Sequence, residues 1–388
     1  MINYPQRIIF VSCIHAFGGV ERLILSLSHF LHERGLSHTV VCFSDTINFA
    51  AHAHWPMPVH VLTARRNPIS EGRALNRYLR TARAAGALPP LLFDLKGAFY
   101  MGMSAALPYH LHLTDPPSLL PSELSKFAFS LQRNRSRSAK ESRPGLVKVL
   151  RGEIAHQLNR RGTLNALSVI AMTHSIADEL YKLYAVQAQI IRPGVKIPSL
   201  PAMNNMVAGG KVRFLSVCRL EQNKRLDWIL NALAALESSA SPLSEKIDWV
   251  LDIVGDGSQR EELKRMAVRL GIAQRAVFHG RISDARVEDV FASANLFLMP
   301  AVQGYGVPAL EALARGVPVV LHKESGVSEI LKENLWVEII EEDTDDLASA
   351  IDTMVDRIMS GELEQSPKPQ FPTETGWAHD ICLQCKWL

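Results

Sequence analysis

Leu296 to Val320 reads LFLMPAVQGYGVPALEALARGVPVV, and this stretch decides the fold. Leu296 to Met299 is a short continuous apolar run, as expected of a parallel strand buried on both faces. A loop with Gly304 and Gly306 follows, then a helical spacing that carries Glu311, then Gly316-Val317-Pro318 and a second apolar run. A strand, a glycine-rich turn and a helix N-terminus can aim backbone N–H groups at an anion. The stretch is therefore a candidate phosphate site in an α/β chain.

The same grammar repeats on both sides of it. Upstream, Val212 to Cys218 (VRFLSVC) is another buried strand, and Arg219-Leu220-Glu221-Gln222-Asn223-Lys224-Arg225 leads into a helix over Leu226 to Leu236. Arg219 and Lys224, just past a strand end, suit a diphosphate, the arginine as a planar fork and the lysine as a point charge. Solvated loop cations fit the same residues. Trp249 to Val254 is the next strand, ending in Gly255-Asp256-Gly257, and Val277 to Arg281 is a short strand and turn.

In the first half, Arg7 to Cys13 (RIIFVSC) is a buried strand, Gly18-Gly19 a turn, and Arg22 to Leu31 repeats leucines at helical spacing. The glycines can let a ligand approach the backbone, and a bare βα turn reads the same way. The spacing is not G-x-G-x-x-G, so the dinucleotide fingerprint is absent. Strand and helix signals then alternate through Leu113, which means βαβ units, an open parallel sheet and ligands at the strands' carboxyl ends. His110 and His112 share one face of a strand that ends at Asp115. A histidine there can donate to a sugar hydroxyl or phosphate, with Asp115 orienting it, and a structural pair is the alternative. Val169 to Met172 is a further strand, followed by a helix over Ile176 to Tyr184 with Ser175 as its cap.

At 388 residues the chain is too long for one ordinary core. Ile197 to Gly210, rich in proline, glycine and asparagine, separates two domains, 1–196 and 211–370. Residues 371–388 carry Trp377 and Trp387 and are expected to pack back onto the first domain. A hydrophobic fraction of 47% with 21% charged residues is that of a folded soluble protein, and a net charge of +3 selects no partner. The N-terminus enters a strand without the cationic and apolar regions of a signal peptide, and no window of roughly 18 apolar residues suggests a membrane span. Five cysteines, Cys13, Cys42, Cys218, Cys382 and Cys385, read as reduced thiols of a cytoplasmic protein. The Cys382/Cys385 pair lacks the second ligand pair a zinc site needs.

Between Ser118 and Leu167 ten lysines and arginines face three glutamates. Arg133, Arg135, Arg137 and Lys140 form its densest part, and the apolar residues Leu124 to Leu131 and Leu146 to Leu158 on either side lie on approximate helical spacings. Such a segment can lie on anionic lipid or hold an acceptor's phosphates, and a solvated helix pair fits equally. Aromatic residues do not interleave with the charges, which argues against nucleic acid.

In order, SVCRLEQNKRLDWILNAL, LDIVGDGSQREELKRMAVRLG, VFHGRIS and the opening stretch resemble the retaining glycosyltransferases of the GT-B fold, in particular glycosyltransferase family 4. FGGVERLILSLSHFL, VIAMTHSIADELYKLYAV and IIRPGV extend the resemblance into the first half. It implies two Rossmann-like doubly wound domains facing across a cleft, with a C-terminal helix crossing back to the first. It also implies transfer of a sugar, with retention, from a nucleotide-diphospho-sugar to a glycan or lipid-linked acceptor in bacterial polysaccharide or glycoconjugate synthesis. By resemblance, Arg219 and Lys224 hold the diphosphate and Glu311 the ribose. Gln303 and the backbone of Gly304, Tyr305, Gly306 and Val307 face the sugar and phosphates, with Gly255 also near the donor. Arg281 and Ile282 lie near the base, His112 contacts the donor sugar, and Gly18 and Gly19 line the cleft from the acceptor side. No metal is required, no other cofactor is implied, and the expected location is cytoplasmic, extending to the inner face of the membrane.

Two departures stand out. The family's second-domain signature pairs two glutamates, and here the first is Gln303, a neutral amide that donates as well as accepts. Arg225 stands where a glycine often follows the lysine. A nucleotide-sugar 2-epimerase or a non-catalytic sugar-nucleotide-binding protein remains open beside the transferase.

Overall fold

The computed structural model describes residues 5–65, 67–103, 107–119, 146–197, 211–238 and 248–388. The chain divides into two compact units, Met1–Pro193 with Glu374–Leu388, and Gly194–Thr373. Most of the expected linker and the residues Arg133, Arg135, Arg137 and Lys140 lie outside the described residues.

The first unit holds a parallel sheet of β1 (Arg7–Phe10), β2 (His38–Cys42), β3 (Val59–Val61), β4 (Leu91–Phe93), β5 (His110–Leu113), β6 (Ser168–Ala171) and β7 (Gln189–Ile190). Their order is β3-β2-β1-β4-β5-β6-β7. Helices α1 (Gly19–Glu33), α2 (Pro68–Ala84), α3 (Asp94–Gly102), α4 (Leu146–Leu164) and α5 (His174–Tyr184) connect them. The apolar runs are buried on both faces, as the parallel pairing requires. α5 begins two residues earlier than its sequence suggests: Thr173 is the cap, accepting from the Ile176 N–H at 3.2 Å, in place of Ser175.

The second unit has β8 (Lys211–Val217), α6 (Leu226–Ser238), β9 (Asp248–Val254), α7 (Arg260–Arg269), β10 (Ala276–Gly280), α8 (Asp284–Ser293), β11 (Leu296–Met299), α9 (Val307–Ala314), β12 (Val319–His322), α10 (Ser328–Leu331), β13 (Val337–Ile340) and α11 (Thr344–Ser360). Its parallel sheet runs β10-β9-β8-β11-β12-β13. Both sheets are doubly wound, and the strand order reverses between β1 and β4 in the first and between β8 and β11 in the second. Ligands of open α/β sheets bind at the carboxyl ends of the strands flanking such a reversal.

The last helix, α12 (Glu374–Gln384), belongs to the first unit and packs on α1. Trp377 and Trp387 are fully buried there, and burial on that scale contributes about 4–6 kcal/mol each before entropy. The Arg7 guanidinium donates to the Trp387 carbonyl from Nε at 2.9 Å and again from its terminal nitrogen, while the Trp387 indole donates to the Pro89 carbonyl at 3.1 Å. Among the described residues no helix is long and apolar enough to cross a membrane.

Candidate active site

At the reversal of the second sheet, the loop after β8 and the loop after β11 are fastened together. Asn223 bridges them twice: its side chain donates to the Val302 carbonyl at 3.0 Å, and its own carbonyl accepts from the Val302 N–H at 2.9 Å. Lys224 Nζ donates to Gln303 Oε1 at 2.6 Å. The amide nitrogen of Gln303 then donates to Ser325 Oγ at 3.1 Å and lies 3.0 Å from Met299 Sδ. Ser325 Oγ in turn donates to the Tyr305 carbonyl at 3.1 Å. Every polar end of Gln303 is used, so a carboxylate could reproduce only half of its bonds.

Gly306 completes this arrangement. Its φ of +116° caps α9 in a conformation that L side chains rarely adopt. An added Cβ would meet Gln303 Nε2 at 2.7 Å and Ser325 Oγ at 2.8 Å, so glycine is needed on both counts. Glu311 lies in the second turn of α9 and is partly exposed. Arg219 is exposed at the head of the neighbouring loop, with no carboxylate inside 4.0 Å among the described residues. Arg281 is exposed and Ile282 half-buried just past the end of β10. Gly255 has a packing reason of its own: φ is +129°, and a Cβ would stand 1.8 Å from the Cys218 carbonyl oxygen.

The departure at Arg225 has a local explanation. Its φ is +52°, the left-handed region where glycine is at ease and other residues cost about 1–2 kcal/mol. Here the guanidinium reaches Glu324 at 2.9 Å and lies 4.3 Å from the centre of the Trp228 ring. These contacts offset the strain and tie the β8 loop to the loop after β12 as well. The sequence carries no signal for them, because their partners are 99 residues and three residues away.

The first unit agrees less closely with expectation. Gly18 caps α1, and its N–H donates to Glu21 at 3.0 Å. Gly19 faces open space, with nothing within 4 Å of an added Cβ. His112, expected to contact the donor sugar, lies in the interior of the first unit. It is completely buried, 4.9 Å ring to ring from Phe93 and 6.0 Å edge-on from Trp377 of α12. Neither ring nitrogen has a hydrogen-bond partner among the described residues, so Asp115 does not orient it. Burial pulls its pKa down to about 3, against a weaker pull from its own backbone. His110 Nδ1 instead pairs with Ser168 Oγ at 2.8 Å, and burial lowers its pKa to about 4.

A residue not singled out from sequence stands at the reversal of this first sheet. Asp94, directly after β4, has φ +63° and accepts from Thr114 Oγ1 at 2.6 Å. Desolvation raises its pKa to about 6, with the Thr114 bonds opposing and Asp115 adding to the rise. A strained, partly buried carboxylate at a strand's carboxyl end could bind a hydroxyl. The sequence carries no sign of it, because DLKG reads as an ordinary helix start.

Residues 204–364 match the family of glycosyl transferases group 1. An uncharacterised glycosyltransferase of Methanocaldococcus jannaschii is 30% identical over 127 residues, 32% of this chain and 31% of that protein. The D-inositol 3-phosphate glycosyltransferase of Streptomyces coelicolor is 28% identical over 188 residues, 41% of each chain. These matches span less than half the length of either relative. Among solved structures, Alr3699/HepE of Anabaena, in complex with UDP, superposes with a TM-score of 0.68 at 17% identity, covering 99% of this chain and 100% of that one. This likeness of fold extends over both Rossmann-like units, and the family match over residues 204–364 falls within the second.

Proposed function

We propose that the protein is a retaining glycosyltransferase that moves a sugar from a nucleotide-diphospho-sugar to a glycan or lipid-linked acceptor in bacterial glycoconjugate assembly. The observation that carries this reading is the fastening of the Lys224 loop to the Gln303 loop at the reversal of the second sheet. That is where an open α/β sheet takes its ligand. The group 1 match over the same unit and the UDP held by the Anabaena neighbour support it.

In this reading Arg219 and Lys224 neutralise the diphosphate, Glu311 accepts from the ribose hydroxyls, and the backbone from Gly304 to Val307 faces the phosphates and sugar. Gly255, Arg281 and Ile282 lie along the same strand ends toward the base. The bond from the anomeric carbon to the leaving phosphate oxygen breaks as the acceptor oxygen attacks the same face. The departing phosphate takes the acceptor's proton, and the fixed cations stabilise its growing charge. Gly18 and Gly19 belong to the acceptor side, and the protein works in the cytoplasm at or near the membrane face.

A panel of nucleotide-sugars tested by thermal shift, with nucleotide release measured in the presence of lipid and glycan acceptors, tests the proposal. A raised melting temperature with one donor and acceptor-dependent nucleotide release is the expected result. No stabilisation by any nucleotide or nucleotide-sugar defeats it, and sugar isomerisation without acceptor transfer assigns the chain to the epimerases.

A further inference from the structure

The loops after β1 and β2 present an aromatic ring within a polar surround. Phe17, directly before Gly18 and Gly19, is 38% exposed. His52 stacks on it with 4.9 Å between ring centres and 23° between planes, and the fully buried Phe49 approaches the same ring to 6.5 Å. The guanidinium of Arg22 stands 6.0 Å from the ring centre. His15, Thr46, Asn48 and His52 are all exposed on these two loops, and His15 Nδ1 lies 3.4 Å from Thr46 Oγ1.

A single exposed apolar residue is ordinary, but this one is held in place from several sides. The Ile14 N–H donates to the Ser44 carbonyl at 2.8 Å, and the Thr46 N–H returns to the Ile14 carbonyl at 2.9 Å, which laces the two loops together. The Asp45 carboxylate accepts from the Ile47 and Phe49 N–H groups at 3.2 and 2.8 Å and turns the chain into the short helical turn Phe49–His52. Farther along, the Trp55 indole donates to the buried Ser28 Oγ of α1 at 3.0 Å. The ring is thus fixed before any ligand arrives. It follows the carboxyl end of β1, one of the two strands at the reversal of the first sheet, where an open α/β sheet takes ligands.

We propose that Phe17 is a platform for a pyranose ring and, on the glycosyl-transfer reading on which this assignment rests, for the sugar at the reacting end of the acceptor. A pyranose joins an apolar face of C–H bonds to an edge of hydroxyls. The C–H bonds carry partial positive charge and meet the negative face of the phenyl. The hydroxyls need donors and acceptors beside the ring, and His15, Thr46 and Asn48 carry both. An acyl chain fits less well, because it asks for continuous apolar surface, and the other exposed residues of these loops from His15 to Gly19 and from Thr46 to His52 are polar, alanine or glycine. A bare phosphate gains nothing from an aromatic face.

Saturation-transfer NMR on the full chain, with the methyl pyranosides of glucose, galactose and mannose as probes, tests it. Irradiating the aromatic protons of the protein should carry saturation to the ring protons of at least one pyranoside. Phe17→Tyr should keep this transfer. Phe17→Leu, which is apolar without a ring, and Phe17→Ala should bind the same pyranoside about 5- to 10-fold more weakly, with unchanged melting temperatures to verify the fold. No transfer to any pyranoside, undiminished transfer in both ring-less variants, or transfer to uridine alone would overturn the proposal. Thermal shift with nucleotide-sugars distinguishes the two claims. A chain stabilised by a nucleotide-sugar but indifferent to pyranosides refutes the platform alone. A chain that binds pyranosides through Phe17 and is stabilised by no nucleotide-sugar keeps the platform and refutes the transferase.

Discussion

The ammonium group of Lys224 donates to the side-chain carbonyl of Gln303 at 2.6 Å, across 79 residues of sequence. This bond joins a cation to a neutral acceptor. A glutamate at 303 would turn it into an ion pair and engage part of the lysine's charge before any phosphate arrived. The amide also donates to Ser325, a bond that a carboxylate cannot make. The exchange at 303 is therefore compensated locally, and the amide positions Lys224 without itself placing a negative charge beside it.

Gln303→Glu should accordingly weaken binding of the nucleotide-sugar about 5-fold, equivalent to about 1 kcal/mol of attraction diverted to the new pair. Calorimetric titration with the donor that gives the largest thermal shift checks this. Tighter binding by the variant would show that the amide, not a carboxylate, is the weaker choice.

Arg225 predicts a contrast between two substitutions. Arg225→Ala keeps the left-handed backbone and removes both the Glu324 bond and the contact with Trp228, so it should cost about 1–3 kcal/mol. Arg225→Gly loses the same contacts and relieves the strain, and should lie within about 1 kcal/mol of wild type. Urea denaturation of the two variants measures the difference, and equal losses would refute the strain argument.

Much of the fold was legible because buried parallel strands must be continuous apolar runs, and RIIF, HTVVC, VRFLSV and LFLM each became one. The loops at the reversal of the second sheet were legible for a related reason: glycines and cations cluster just past its strand ends. Long-range pairing was not legible. The tryptophans of residues 371–388 pointed to a return to the first domain, but nothing in YHLHLTD encodes that Trp377 would close over His112. Asp94 was hidden in the same way, since its backbone angle and its Thr114 partner exist only once β4 and β5 pair. The basic segment around Arg133 to Lys140 lies outside the described residues.

Asp94 makes stability fall as pH rises. Its folded pKa, about 6, lies above the ordinary carboxylate value of roughly 3.9, so the folded state holds the extra proton between those pH values. The protein therefore loses stability from about pH 4 to about pH 6 on this account, and the loss is complete above that. Asp94→Asn keeps an acceptor for Thr114, tolerates positive φ and carries no charge. It should gain about 1–2 kcal/mol at pH 7, discounted for the carboxylate's partial exposure, and nothing at pH 3.5. Thermal melts of both proteins at the two pH values check it; a variant less stable at pH 7 would contradict it.

His112 acts in the opposite direction. With a folded pKa of about 3 against an ordinary value of roughly 6.5, it takes up a proton only in the unfolded chain over that window. Stability should fall by up to about 1.4 kcal/mol for each unit below pH 6.5. His112→Leu removes this dependence and two unpartnered buried nitrogens. The variant should be at least as stable as wild type at pH 7 and clearly more stable at pH 5. Loss of several kcal/mol at both would mean that the ring makes a contact the apolar side chain cannot replace.

The central claim is that Arg219 and Lys224 hold the diphosphate of a nucleotide-sugar. The most direct measurement is acceptor-dependent nucleotide release by Arg219→Ala and Lys224→Ala beside wild type, with melting temperatures to confirm folding. Each variant should fall at least about 100-fold, the scale of losing about 3 kcal/mol of stabilisation for a leaving diphosphate. Wild-type rates in both would remove these residues from the site and contradict the account.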